Sequence, residues 1–213
     1  IPNNPPFIFS GNPVRESLKL ITRSDAAEKL GLKANLPTLF IFGGSQGSHA
    51  INQSVAKFIP IMFKRWKVQI IWQTGEKDYN HIISTVQSHK SLIIKDYLHH
   101  MEEPYSLSDL IISRAGALTL AELAAMEKPA ILIPLPTAAA NHQYHNAKAL
   151  EKLGSVRVVE ENELSAGHLF NELQNFMDEP EKIEKMRLSM AHIENPDTLN
   201  IISDTILKEL KLA

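Results

Sequence analysis

Residues 38–48 read TLFIFGGSQGS: an apolar run of β-forming residues, a turn carrying Gly43, Gly44 and Gly47, and a helical pattern from about His49. The run predicts a buried strand, and the glycines predict its turn into a helix. Such a turn gathers unpaired backbone N–H groups and the positive end of a helix dipole at one point, which suits a phosphate or pyrophosphate. Glycine is expected there because a Cβ would hold ligand oxygens away from the backbone. The alternative is a tight strand-to-helix turn with no ligand.

Beyond this unit, strand and helix alternate. Strands are expected at 68–72, 92–97, 109–113, 130–134 and 155–159. Helices are expected at 51–63, 79–89, 100–107, 118–126 and 141–153, and three more close the chain at 165–177, 180–192 and 197–212. Ahead of the first strand, 24–32 reads as a short helix capped by Ser24 and stopped at Gly31. Residues 1–6, IPNNPP, read as linker, 7–10 as a short apolar run, and Gly11-Asn12-Pro13 as a turn. The pattern predicts an α/β, Rossmann-like parallel sheet of about six strands with helices on both faces. The expected division is an interdomain linker and lead-in at 1–23 and one ligand-binding domain at 24–213.

Composition narrows the function. The chain has 213 residues, a formal net charge of −2 and no cysteine. The charge gives no general attraction to nucleic acid. The lack of cysteine excludes disulfides, thiolate nucleophiles and zinc–cysteine sites. No apolar run approaches the ~20 residues of a membrane helix, and no signal-peptide pattern is visible. The first residue is Ile1 rather than methionine, so the chain is expected to be part of a longer protein.

Ligands on such sheets sit beyond the carboxyl ends of the strands, and the informative residues cluster there. Arg15 follows a turn, where a guanidinium can reach a phosphate. Tyr97, Leu98 and Met101 offer an apolar, aromatic edge to a base, or ordinary core. The run Arg114-Ala115-Gly116-Ala117-Leu118-Thr119 precedes Glu122, a carboxylate able to receive both hydroxyls of a ribose or simply to favour a helix N-terminus. The amides of Asn141, Gln143 and Asn146 suit a sugar with several hydroxyls, with helix capping by Asn141 as the plainer alternative, and His142 reads as a general base or, more plainly, as a structural group. A nicotinamide site is disfavoured. The loop is not G-x-G-x-x-G, and the second strand ends in Trp72-Gln73-Thr74-Gly75 without an acid. No P-loop lysine follows the glycines either.

Four strings taken in order, 11–15 (GNPVR), 43–47 (GGSQG), 113–119 (SRAGALT) with Glu122, and 141–147 (NHQYHNA), resemble the carboxy-terminal half of the MurG family. This is the bacterial glycosyltransferase family that converts lipid I to lipid II in peptidoglycan synthesis. The resemblance spans nearly the whole chain. It implies one half of a GT-B enzyme, with UDP-N-acetylglucosamine bound by this domain and the lipid I acceptor by an amino-terminal domain. By the same resemblance, Arg15 and Ser45 hold the diphosphate, and Gly44, Gln46 and Gly47 shape that loop. Leu98 meets the uracil through its backbone, with Tyr97 and Met101 beside it. Ala117, Leu118 and Thr119 line the loop near the diphosphate, Glu122 binds the ribose, and His142 and Gln143 contact the sugar.

The run at 137–140 departs from the family pattern, being one residue longer and lacking the acid before Asn141. The resemblance further implies no cofactor, metal-independent stabilisation of the leaving group, and a general base outside this chain. It also implies a peripheral position on the cytoplasmic face of the bacterial inner membrane. Two other readings stand beside it: a UDP-N-acetylglucosamine epimerase or another GT-B enzyme, and a nucleotide-binding module without chemistry.

Overall fold

The computed structural model of the chain describes residues 8–193 and 196–210. The proline-rich stretch 1–6, the start of the apolar run at Phe7 and the end of the last expected helix lie outside the described residues. Among the described residues, six strands form one parallel sheet: β1 (Thr38–Phe42), β2 (Gln69–Gln73), β3 (Leu92–Lys95), β4 (Leu110–Ser113), β5 (Ala130–Leu132) and β6 (Val156–Val158). The spatial order is β3-β2-β1-β4-β5-β6. The chain winds outwards from β1 in one direction, then returns to β4 and winds in the other. The switch point lies between β1 and β4, where a doubly wound sheet opens its ligand crevice.

The register brings all the strand ends into step. Lys95 pairs with Gln73, Gln73 with Phe42, Phe42 with Ser113, Ser113 with Leu132, and Leu132 with Val158. The loops that follow therefore leave from a single edge.

Alternate residues point to opposite faces of a strand, and here both faces are apolar. Leu39, Ile41, Ile70, Trp72, Leu110 and Ile112 pack on one side, beneath α2 (His49–Arg65) and α7 (Ala166–Asp178). Phe40, Phe42, Ile71, Ile111 and Leu132 pack on the other. That second side takes in residues of α1 (Arg23–Leu30), α4 (Glu102–Leu107), α5 (Ala117–Ala125) and α6 (His142–Lys152). Two-faced burial is what makes the strands read as near-continuous apolar runs. The lead-in docks as well: Leu18 is fully buried in the second cluster. The remaining helices are α3 (Glu76–Thr85), α8 (Pro180–Ala191) and α9 (Thr198–Glu209). The Thr198 hydroxyl at the start of α9 donates to the Ser10 carbonyl, joining the lead-in to the last helix.

Several local expectations are corrected. The cap of α1 is Thr22, not Ser24: Thr22 and Asp25 exchange side-chain and backbone bonds in a capping box. The helix expected at 79–89 begins at Glu76, because Gly75 takes a φ of +80° and ends the preceding extended chain. The strand expected at 92–97 stops at Lys95, since the Tyr97 N–H turns back to the Asp96 side chain. The second strand runs one residue further than expected, to Gln73. Asn141 precedes α6 but makes no side-chain cap, and its backbone lies in the left-handed region at φ 53°.

The glycines of the first loop do different jobs. A Cβ on Gly47 would overlap the Thr74 carbonyl, and one on Gly75 would overlap the Gln46 carbonyl. Both also have positive φ, 78° and 80°. These two turns therefore touch backbone to backbone. Gly44, at φ 90°, has open space where a Cβ would stand. The expectation that the glycines serve ligand approach thus fits the space at Gly44, whereas at Gly47 close packing with the neighbouring turn is the stronger demand. A side-chain network holds that approach. The Trp72 indole N–H donates to Asn52 Oδ1 (2.9 Å). The Asn52 amide donates to the Thr74 carbonyl and to Asp78 (both 2.7 Å). His49 pairs with Asp78 at 2.9 Å. Burial pushes the Asp78 carboxyl up, and its bonds to Asn52 and His49 outweigh that, leaving it below its ordinary value.

Lys128 is a half-buried lysine whose ammonium donates to the Ser108 carbonyl (2.9 Å) and the Ser106 carbonyl (3.4 Å), closing the end of α4. Burial lowers its pKa to about 8.

Two outcomes are expected in denaturant titrations. Gly47→Ala should lose about 2 kcal/mol or more, from steric overlap added to a strained φ. Gly44→Ala should lose only the conformational part, about 1 kcal/mol. In the second test, the folded-state pKa of Lys128 lies below the unfolded value of about 10.4. Between the two values the unfolded chain binds more protons, so stability should rise with pH from about 8 to 10. Lys128→Met should remove that rise.

Candidate functional site

The site is the crevice edge where the loops after β1 to β5 emerge. Ser45 and Gln46 are exposed at the tip of the first loop, with Gly44 and Gly47 half-buried at its sides. Ser48 caps α2 through its hydroxyl, which accepts from the Ile51 N–H at a long 3.5 Å.

Arg114 ties this loop to the β4 and β5 loops. One guanidinium nitrogen donates to the Ser48 hydroxyl (2.8 Å) and the other to the Ile133 and Pro134 carbonyls (3.2 and 3.3 Å). The group also pairs with Glu161. Gln143 does a similar task one loop on. Its Oε1 accepts from the Ala115 N–H (3.2 Å) and the Leu135 N–H (3.0 Å). Its oxygen is committed inward, which leaves the –NH₂ as the end able to donate to a hydroxyl.

The first turn of α5 holds Ala117, Leu118 and Thr119. Gly116 precedes it and no side chain caps it. Ala117 and Leu118 are exposed. The next turn carries Glu122, which is buried to 7% exposure yet meets two polar partners. The buried Tyr105 hydroxyl donates to Glu122 Oε2 at 3.0 Å, and Arg15 Nε lies 3.4 Å from Oε1. The Arg15 side chain keeps 55% exposure. Arg15 and Glu122 thus stand together at the edge as a half-open ion pair, so favouring a helix N-terminus does not by itself describe Glu122.

Tyr105 packs edge-on against Phe40 and Phe42, at ring distances of 5.8 and 6.1 Å. Burial, then the Glu122 charge, pushes its phenol well above the ordinary value, so it stays a donor.

The third loop is divided. Tyr97 is exposed and meets His99 edge-on at 5.0 Å. Leu98 and Met101 are buried and belong to the core cluster beneath. The Leu98 N–H is already taken by Gln73 Oε1 at 2.8 Å, so its carbonyl is the backbone group it has left for a ligand. His142 is exposed, with Nδ1 at 2.7 Å from the Ala139 carbonyl of its own loop. Ala140 and Asn141 before it both have positive φ, 47° and 53°. This is the run whose length and lack of an acid set it apart in the sequence.

Three residues that organise the site escaped sequence reading, Gln73, Tyr105 and Asn52, and Arg114 was singled out only as part of a run, without its bridging role. Gln73 drew notice only as the absence of an acid. Its signal was position, a polar side chain closing a strand buried on both faces. Tyr105 gave none, because a tyrosine in an amphipathic helix reads as core.

Residues 38–199 match the family described as the glycosyltransferase family 28 C-terminal domain. A curated relative from Desulfitobacterium hafniense (strain Y51) is named UDP-N-acetylglucosamine–N-acetylmuramyl-(pentapeptide) pyrophosphoryl-undecaprenol N-acetylglucosamine transferase. It is 36% identical over 207 residues, which are 94% of this chain and 56% of that protein. The crystal structure of Acinetobacter baumannii MurG superposes with a TM-score of 0.74 at 27% identity, over 95% of this chain and 57% of that one. A putative UDP-N-acetylglucosamine 2-epimerase from Listeria monocytogenes shares the fold alone, with a TM-score of 0.66 at 12% identity, over 88% and 48%. The chain spans little more than half the length of the curated relative.

Tyr105→Phe keeps the ring packing and removes the only hydroxyl that, among the described residues, bonds Glu122. Such a variant should remain folded and lose about 1–3 kcal/mol, the cost of a buried acceptor left unpaired. Urea denaturation with an unchanged slope would register it.

Proposed function

This chain belongs to the glycosyltransferase family 28 C-terminal domain family, and on that premise we propose that it is the donor-binding half of the inverting enzyme that converts lipid I to lipid II. The donor is UDP-N-acetylglucosamine, and no cofactor is needed besides it. The observation that carries the reading is the half-open Arg15–Glu122 pair beside the uncapped first turn of α5. An acceptor-only carboxylate suits vicinal ribose hydroxyls, and an adjacent exposed guanidinium suits a phosphoryl group.

The chemistry follows from charge. An acceptor hydroxyl attacks the anomeric carbon, forming the new C–O bond as the bond from that carbon to the phosphate oxygen breaks. UDP departs with the electron pair, and the hydroxyl proton passes to a base on the other half of the enzyme. Negative charge grows on the diphosphate during this step. Donors fixed in advance around it lower the transition state more than the ground state. In this reading Arg15, the Ser45 hydroxyl and the amides of the first loop do that work, Gln46 and Gly47 shape the loop, and Ala117 to Thr119 line it. Leu98 meets the uracil through its carbonyl beside Tyr97 and Met101, and His142 and Gln143 meet the sugar.

The division into a lead-in at 1–23 and a donor domain at 24–213 belongs to the same proposal, as does a peripheral position of the whole enzyme on the cytoplasmic face of the bacterial inner membrane. Among the described residues, no helix is long and apolar enough to cross a membrane.

Calorimetry tests the binding half. UDP should bind the 213-residue chain, and Arg15→Ala or Glu122→Ala should each weaken it about tenfold or more, the value of one charge-assisted contact. Unchanged binding in both variants would refute the site. The same chain should transfer no sugar to a lipid I analogue, and measurable transfer would show that no second half is needed.

A further inference from the structure

Gln73 is the last residue of β2 and is 2% exposed. Each end of its amide serves a different loop. Its –NH₂ donates to the Gly44 carbonyl at 3.0 Å, and its oxygen accepts from the Leu98 N–H at 2.8 Å. No other side chain among the described residues bonds both the glycine loop and the loop after β3.

The consequence for the first loop follows from peptide geometry. In a trans peptide the carbonyl of one residue and the N–H of the next point in opposite directions, and every peptide bond described here is trans. A Gly44 carbonyl drawn towards Gln73 therefore turns the Ser45 N–H away from it. Ser45 is exposed, and the space beside Gly44 is open. By the same geometry, a Leu98 N–H drawn inward turns the Tyr97 carbonyl outward, on an exposed residue. One buried amide thus links the direction of a donor on one loop to that of an acceptor on the other, with the Gly47 N–H, which donates to the same Gly44 carbonyl at 3.1 Å, holding the first peptide from within its own loop.

We propose that Gln73 is a positioning residue that couples recognition of the base to recognition of the diphosphate, by holding the glycine loop and the loop after β3 in a single arrangement. This rests on the donor-site reading above. Glutamine is suited to the task because it carries a donor and an acceptor on one rigid plane. A carboxylate has no donor for Gly44, and an apolar side chain has neither group. Without this link the ligand itself must bring the two loops into one arrangement, and that ordering is subtracted from affinity.

The test compares uridine with UDP, by calorimetry on the 213-residue chain, for the wild type, Gln73→Glu and Gln73→Met. The measured quantity is the ratio of UDP affinity to uridine affinity, alongside the melting temperature of each protein. Gln73→Glu keeps the Leu98 bond and loses the Gly44 bond. It should hold uridine nearly as well as the wild type and lose UDP about tenfold or more. Gln73→Met loses both bonds and should weaken both ligands, UDP the more. Gln73→Met adds no charge, so a fall in its UDP-to-uridine ratio separates a lost brace from repulsion of the diphosphate by the carboxylate of Gln73→Glu, which at a buried position salt would screen little. A ratio unchanged in both variants overturns the proposal, whether both ligands bind normally or both weaken equally. So does a ratio that falls in Gln73→Glu and stays at the wild-type value in Gln73→Met. A wild type that binds no UDP would instead refute the donor site itself.

Discussion

The hydrogen-bonded ladder of the parallel sheet ends in one row, Lys95, Gln73, Phe42, Ser113, Leu132 and Val158, and everything at the crevice depends on that alignment. A parallel ladder fixes strands in step by their backbones alone. A slip of one residue would move every side chain to the opposite face, and here each face is packed against its own set of helices, so the register is held from two sides. Loops leaving one row at the switch point converge without any long-range search. Their side chains are then free to differ, because the sheet has already decided where they meet.

The site above that row is built mostly from backbone groups, and buried polar side chains decide how those groups point. Gln73, Arg114 and Gln143 each join loops far apart in sequence: Gly44 to Leu98, Ser48 to Ile133 and Pro134, and Ala115 to Leu135. Both ends of the Gln73 amide are occupied within the protein, so such a residue need not touch a ligand to shape how it is held. Tyr105 does the same for Glu122, from a floor of aromatic rings. A binding edge of this kind is prepared before the ligand arrives, which is the condition for stabilising charge that develops during a reaction.

The sheet and its helices were legible because burial on two faces leaves long apolar runs, and because glycines mark the turns between them. The positions of Ser45, Glu122 and Gln143 were legible as residues that follow strands. Element ends were less so. Ser24 and Thr22 are both competent caps, and only the bond to Asp25 distinguishes them. Met101 and Leu98 read equally as base contact or as core, and their side chains lie in the core. The bracing bonds themselves were not legible, since each brace reaches at least one partner 25 residues or more away that local pattern does not mention. The Arg15–Glu122 pair belongs to the same class: two residues each with a bland local explanation, joined only by the fold.

The contact between Gly47 and Gly75 has a consequence for how this domain tolerates change over evolutionary time. When two side chains collide, a smaller neighbour can restore the fit, so a damaging substitution at one site is rescued by a second. Here the obstacle met by a new methyl group is main chain on both sides, the carbonyls of Thr74 and Gln46. Main chain cannot be made smaller by mutation. In this chain the two positions are therefore closed to rescue by a smaller neighbouring side chain.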